Sequence, residues 1–228
     1  MNILLSGTVG STAYGLAHAG SDIDRLGMFA APTEELHGLH RPAESHVTTG
    51  PDTTLHEAAK FCRLALKGNP TLTELLWLDT YEIRTPLGDE LVGMRRAFAS
   101  TAAVRDAYLG YATRQFRKLR ARGDGTHRAD TRERMLKHAR HLVRLLRQGE
   151  ELHATGHLTI RLADPDAVRA MAEWIVTEPD RALVLLSRAE DRFGAPGVLP
   201  AAPDEAAVEA WLRRVRAAFY APRARRAA

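Results

Sequence analysis

Cysteine is almost missing from this chain: Cys62 is the only one in 228 residues. That excludes an internal disulfide and any zinc site built on several thiolates. Cys62 falls in the apolar run Phe61–Leu66, where a buried thiol is expected. Long apolar segments are missing too, so no membrane span is expected. The start, Met1-Asn2-Ile3-Leu4-Leu5, has neither the basic residues nor the apolar core of a secretory leader. A soluble, intracellular, cytoplasmic protein is the expectation. No internal repeat is visible. Acidic residues are scarce in one region: from Arg105 to Arg147 there are thirteen Lys or Arg and only four Asp or Glu. The formal net charge of +4 is modest, so this clustering says more about polyanions than the total does.

What is present is concentrated near the N-terminus. Asn2-Ile3-Leu4-Leu5 reads as a short buried strand bounded by Gly7. Gly10-Ser11 follows, then a small helical segment that Gly15 can end. A strand, a Gly-Ser turn and a helix aim backbone N–H groups at an anion, and glycine lets a phosphate approach closely. Ser11 adds a hydroxyl donor, and Ser21 is a second one beside the acids. Asp22-Ile23-Asp24 opens the next strand, which runs through Leu26, Met28 and Phe29. Strand alternation would point Asp22 and Asp24 the same way and Ile23 into the core. Two adjacent carboxylates repel unless a cation compensates them. Mg²⁺, or Mn²⁺, suits oxygen ligands of this kind together with substrate phosphates. Arg25 then falls on the opposite face, where a surface salt bridge is expected. Each half of the pattern alone is commonplace; the pair in this order describes a nucleotide-handling enzyme.

A third carboxylate would complete such a site, and Asp52 and Glu57 are the candidates. Ser45–Thr49 and Thr53–Leu55 are β-prone, with Gly50-Pro51 as the turn between them. Asp52 would start the second strand and is preferred. Glu57 would begin a helical run, sharing a solvated polar face with Lys60 and Lys67. Asn69-Pro70 reads as the cap and first turn of another helix, which explains both residues, and Glu74 inside it is not chosen as a ligand.

At these residues the chain resembles the nucleotidyltransferase superfamily of DNA polymerase beta, which carries Gly-Ser, about ten residues, then Asp-hydrophobic-Asp. Leu55-His56-Glu57, Lys60–Pro70, Glu74–Trp77, Leu109–Ala112 and Lys137–Leu146 with Thr155-Gly156 resemble the branch associated with RNA ligases and RNA repair. The similarity covers residues 2 to about 162. It implies transfer of a nucleoside monophosphate from an NTP to a hydroxyl, most plausibly an RNA end, with a divalent metal on Asp22, Asp24 and Asp52. It also implies association with an RNA ligase. Nucleotide-binding residues would be Gly10, Ser11, Ser21, Lys137, His141 and Arg144; Lys137 and His141 fall at matching motif positions. The alternatives are a protein or small-molecule acceptor, or an inactive nucleic-acid-binding relative.

The expected architecture is α+β: a nucleotidyltransferase core over 1–100, with a short mixed sheet and helices, then a helical domain over 101–228. In the first part Glu82-Ile83-Arg84 is a last edge strand, and Pro86 opens a helix toward Ala97. Later helices are expected near 102–122, 130–150, 166–177, 179–192 and 204–219, with Gly123-Asp124-Gly125 as a loop and a frayed end from Ala221. In the first long helix Val104, Tyr108, Tyr111 and Leu119 form a core stripe, so the tyrosines are not read as a base-stacking platform. In the second, Met135, Ala139, Leu142 and Leu146 face the core. Lys137, His141, Arg144 and Gln148 recur on the other face with no acid in their row. His141 is not expected to bind zinc, since no second ligand set accompanies it.

Overall fold

The first strand runs further than its apolar start suggests. In the computed structural model, which describes residues 1–121 and 129–220, β1 spans Asn2–Val9. Gly7 lies inside the strand instead of ending it, because a Cβ there would stand 2.6 Å from Leu78 Cδ1; glycine marks a close approach within a strand. β1 passes into α1 (Gly10–Tyr14), which ends on Gly15 in the left-handed conformation. β2 (Asp24–Ala30) returns antiparallel to β1, and α2 (Thr33–Leu36) follows.

The hairpin of β3 (Ser45–Thr49) and β4 (Asp52–Glu57) turns at Gly50-Pro51, as the sequence predicts. β4 leads into α3 (Ala58–Leu66) and α4 (Pro70–Leu76). Asn69 caps α4, its side chain accepting from Thr71 N at 3.1 Å. β5 (Ile83–Arg84) is the edge strand. α5 (Pro86–Gly93) and a 3₁₀ turn (Arg95–Phe98) close this half. The five strands lie in the order β3-β4-β2-β1-β5, with β2 and β4 parallel and the other pairs antiparallel. The fold is thus mixed α+β.

α6 (Thr101–Arg120) and α7 (Ala129–Thr155) pack along each other, and α8 (Pro165–Thr177) and α9 (Arg181–Gly194) pack on them. α7 runs to Thr155, past the expected end near 150. Buried Leu152 extends its apolar face through that last turn. Gly123-Asp124-Gly125 and the end from Ala221 lie outside the described residues. Among the described residues no helix is long and apolar enough to cross a membrane. Cys62 is buried as expected, and its thiol is pushed up to about 12, chiefly by desolvation.

α10 (Glu205–Ala218) returns to the first half and packs on α3, α5 and the 3₁₀ turn. This corrects the reading of Glu57. Glu57 is 3% exposed, not solvated. It caps α3 by accepting from Ala59 N at 2.8 Å, and Arg216 of α10 grips both its oxygens at 2.6 and 3.0 Å. Helical spacing with Lys60 could not reveal this, because the partner lies 159 residues away.

Replacing Arg216 with Met strands a buried carboxylate. It is expected to lower unfolding free energy by roughly 3 kcal/mol, read from urea unfolding, and the Glu57→Gln/Arg216→Met pair should recover part of the loss.

Candidate active site

The register of β1 and β2 builds the centre of the site. Val9, the last residue of β1, pairs with Asp24, the first of β2. The chain then turns into α1 at Gly10, whose φ is +71°. A Cβ on Gly10 would stand 2.4 Å from Asp24 Oδ2. The left-handed backbone and the carboxylate lying on it both demand glycine. The Gly-Ser turn and the second aspartate are therefore one packed unit.

Asp52 joins from β4. β2 and β4 run parallel with Arg25 opposite Thr53. Asp24 and Asp52 each stand one residue earlier, so the pleat turns both to the other face. Asp24, Leu26, Asp52, Thr54 and His56 accordingly line one cavity of about 380 Å³. Arg25 borders the cavity as well, but its guanidinium reaches Glu82, Nε to Oε1 2.9 Å, the expected salt bridge. Glu57 has the opposite parity from Asp52 and is tied to Arg216, so it does not reach this face.

Asp22 arrives differently from the expectation. β2 starts only at Asp24, since β1 offers no partner beyond Val9. Asp22 and Ile23 therefore lie in the link that follows a turn, in which His18 N donates to Ser21 Oγ at 2.9 Å and Ser21 N to His18 O at 2.9 Å. Ile23 is 50% exposed and does not anchor the core. Asp22 nevertheless lines a cleft of about 310 Å³ with Gly10, Ser11, Ser21, Asp24 and Lys137. His141 and Arg144 line it too, and Glu133, Arg134 and Arg140 extend its α7 wall.

Asp24, Gly10, Tyr14, His141 and Arg144 border both cavities. Desolvation raises the Asp24 pKa above the usual aspartate value; the Asp52 charge adds to the rise, Lys137 opposes it, and Asp22 adds a smaller push. Asp24 thus senses both of the other carboxylates. Asp22 and Asp52 are exposed, and among the described residues no three His, Cys, Asp or Glu side chains are grouped as a metal-holding set. The donor chemistry is nonetheless all-oxygen and anionic, which fits Mg²⁺ or Mn²⁺ and not zinc.

Arg144 requires a correction. Its row on α7 holds no acid, but α4 supplies one. Arg144 is 4% exposed and Glu74 2%; Nη1 donates to Glu74 Oε1 at 2.8 Å and to Gln148 Oε1 at 2.6 Å. The guanidinium also lies 4.1 Å over the Tyr14 ring. Burial raises the Glu74 pKa while Arg144 pulls it back. Sequence reading gave Tyr14 no role and set Glu74 aside. The signal for Tyr14 was its place inside the Gly-Ser segment; that for Glu74 was its place in the Glu74–Trp77 segment that resembles the family.

His141 sits where expected, but uncharged. Desolvation, then the Arg144 and Lys137 charges, push it down to about 3. Tyr108 is buried as read, whereas Tyr111 is half-buried and lines the second cavity with Gln115.

Residues 1–175 match RlaP, the RNA repair pathway DNA polymerase beta family. The chain belongs to this family. The match includes the sheet, α6 and α7, and ends inside α8. Membership in the polymerase beta family suggests a nucleotidyltransferase, and the family's name connects it with RNA repair. No curated protein matches the chain.

Gly10→Ala is expected to displace Asp24 and to reduce activity at least about 100-fold, against a stability loss of roughly 1–3 kcal/mol for the strained backbone. Steady-state kinetics and urea unfolding separate the two. His141 gives a pH prediction. Above pH 6.5 it is neutral folded and unfolded. As pH falls from 6.5 toward 3, the unfolded chain gains a proton that the folded one refuses. Stability should therefore fall by up to about 1.4 kcal/mol per pH unit. His141→Gln should flatten that slope in urea unfolding between pH 7 and 5.

Proposed function

We propose that the chain is a metal-dependent nucleotidyltransferase. It moves a nucleoside monophosphate from an NTP to a hydroxyl on an RNA end and releases pyrophosphate. One observation carries the reading: the Asp24 carboxylate packed on left-handed Gly10 at the head of α1, with Asp22 in one adjoining cavity and Asp52 in the other.

The triphosphate lies in the cleft between α1 and α7. Backbone N–H groups at Gly10 and Ser11 and the Ser11 hydroxyl donate to phosphate oxygens. Ser21 Oγ already accepts from His18 N, which leaves its own hydrogen to donate. Lys137 balances phosphate charge, and neutral His141 donates its ring N–H. Arg144, committed to Glu74 and Gln148, forms the base of the cleft beneath Tyr14. Asp52 accepts the proton of the hydroxyl that attacks from the second cavity. Asp22, Asp24 and Asp52 would hold Mg²⁺ or Mn²⁺, which when bound supplies charge neutralisation to the phosphates and acidifies the hydroxyl. The chain's own contribution is positioning and fixed charge.

The family's connection with RNA repair and the basic composition of 105–147 support RNA as acceptor. The resemblance to RNA-ligase-associated proteins supports an RNA ligase as partner, acting in the cytoplasm. A second reading, an inactive RNA-binding relative, is favoured by the lack of a grouped metal set among the described residues.

The test is transfer of an α-labelled NTP to RNA in Mg²⁺, with protein and metabolite acceptors as further arms. Label is expected on RNA. Asp22→Ala/Asp24→Ala should lower the rate more than about 1000-fold, and Asp52→Asn should lower kcat with little change in the KM for NTP. Transfer that survives the double substitution would sink the mechanism; no transfer to any acceptor would favour the inactive relative.

A further inference from the structure

Among the described residues that line the second cavity, no cation is left without an acid. Its lining contains Arg25 and Arg144, but Arg25 is paired with Glu82 and Arg144 with Glu74. His56 is held below its ordinary pKa by burial and by the Lys60 charge, and its Nδ1 is bonded to Ser45 Oγ at 2.8 Å. His141, at the border with the first cleft, is uncharged as well. What remains is the negative charge of Asp24 and Asp52. Such a cavity accepts a neutral, hydroxyl-bearing group and repels a phosphate.

The free cations stand just outside, on α6. Tyr111 and Gln115 line the cavity. Arg114 and Lys118 follow at helical spacing, so that 111, 114, 115 and 118 share one face. Both cations are exposed, and among the described residues neither makes a salt bridge. Arg114 is pre-positioned: Nε donates to Gly110 O at 3.3 Å and the guanidinium lies 4.3 Å over the Tyr111 ring. Gln115 is fixed by His138, Nδ1 to Oε1 2.8 Å. Arg114 and Lys118 are one turn apart, about 6 Å along the axis, which suits neighbouring phosphates of one strand.

We propose that this face of α6 is the track for the acceptor strand. Single-stranded RNA lies with its backbone phosphates on Arg114 and Lys118 and places its unphosphorylated terminal ribose in the second cavity, beside Asp52. The proposal rests on the nucleotidyltransferase reading for the use of that ribose, but the binding it describes can be measured without any reaction.

The experiment is a fluorescence anisotropy titration of the full chain with a short 5′-labelled single-stranded RNA, without nucleotide, over a range of salt. Arg114→Gln/Lys118→Gln is expected to weaken binding about tenfold and to reduce the slope of log affinity against log salt by about 1.4, two contacts at about 0.7 each. A control pair on other exposed, unpaired arginines, Arg96→Gln/Arg188→Gln, should leave both unchanged. An RNA ending in a 3′-phosphate should bind the native chain more weakly than one ending in a 3′-hydroxyl, and a blunt duplex more weakly than either. Affinity for a non-hydrolysable NTP analogue should not change in the α6 variant. The proposal is overturned if the α6 pair behaves like the control pair, if the phosphate end or the duplex binds as well as the hydroxyl end, or if nucleotide affinity falls instead. Retained RNA binding without nucleotide transfer would count against the enzymatic reading and leave the track standing.

Discussion

The buried ion pair between Arg144 and Glu74 is the constraint on which the site depends. It joins α7 to α4 and lies under Tyr14 of α1, so three elements from distant parts of the chain meet at one guanidinium. Two charges out of water are tolerable only with good geometry and further hydrogen bonds. Here Gln148 accepts from Arg144 and passes its amide to Thr159 O at 3.0 Å. Arg144 Nε and the Tyr108 hydroxyl remain buried without partners, so the polar network is not fully satisfied by the protein itself. A packed apolar contact would hold the same helices together. The ion pair adds a fixed orientation for Tyr14, and with it for the Gly-Ser turn at the head of α1.

That fixed turn explains why charge is divided as it is around Asp24. On one side the cleft carries Lys137 and the basic face of α7; on the other the arginines are neutralised within the protein. Asp24 stands between, desolvated, pressed by Asp52 and Asp22 and relieved by Lys137. A polyanion gains on the first side and loses on the second, whereas a neutral hydroxyl loses nothing on the second. The two cavities therefore differ in what they admit while sharing the carboxylate between them. Neutral His141 belongs to the same balance: burial first, then the Arg144 and Lys137 charges, keep it unprotonated, and the approach of a polyanion would relax the charge part of that pressure.

Local patterns in the sequence were sufficient for much of this. Gly10, Gly15, the β3–β4 hairpin, the Asn69 cap and the five long helices follow from turn chemistry and periodicity, which act over a few residues. The Gly50-Pro51 turn put Asp52 at the head of a strand, and the register of β2 and β4 then carries it to the face of Asp24. What failed were inferences about burial that depend on distant partners. Ile23 was assigned to the core by extending β2 two residues too early, and only the end of β1 decides where that strand begins. Glu57 looked like a solvated charge, and Arg144 like a nucleotide-binding one on a row without acids. Each is buried by a partner at least 70 positions away, Arg216 in one case and Glu74 in the other. A helical wheel sees its own face and nothing opposite it.

The same distinction separates the reaction from its acceptor. The Gly10–Asp24 contact arises from a hairpin of adjacent strands, so the chemistry it serves is written within about fifteen residues. On the proposed reading, selection of an acceptor depends on α6, α7 and the pairing of Arg25 and Arg144 with acids elsewhere, which the Gly-Ser and Asp-x-Asp signature does not encode. A single change at Glu82 or Glu74 would free a cation into the second cavity and make it hospitable to phosphate without touching the Gly-Ser or Asp-x-Asp signature. On the proposed reading, the acceptor is chosen by those two acids and by the exposed face of α6, more than by the carboxylates that would do the chemistry.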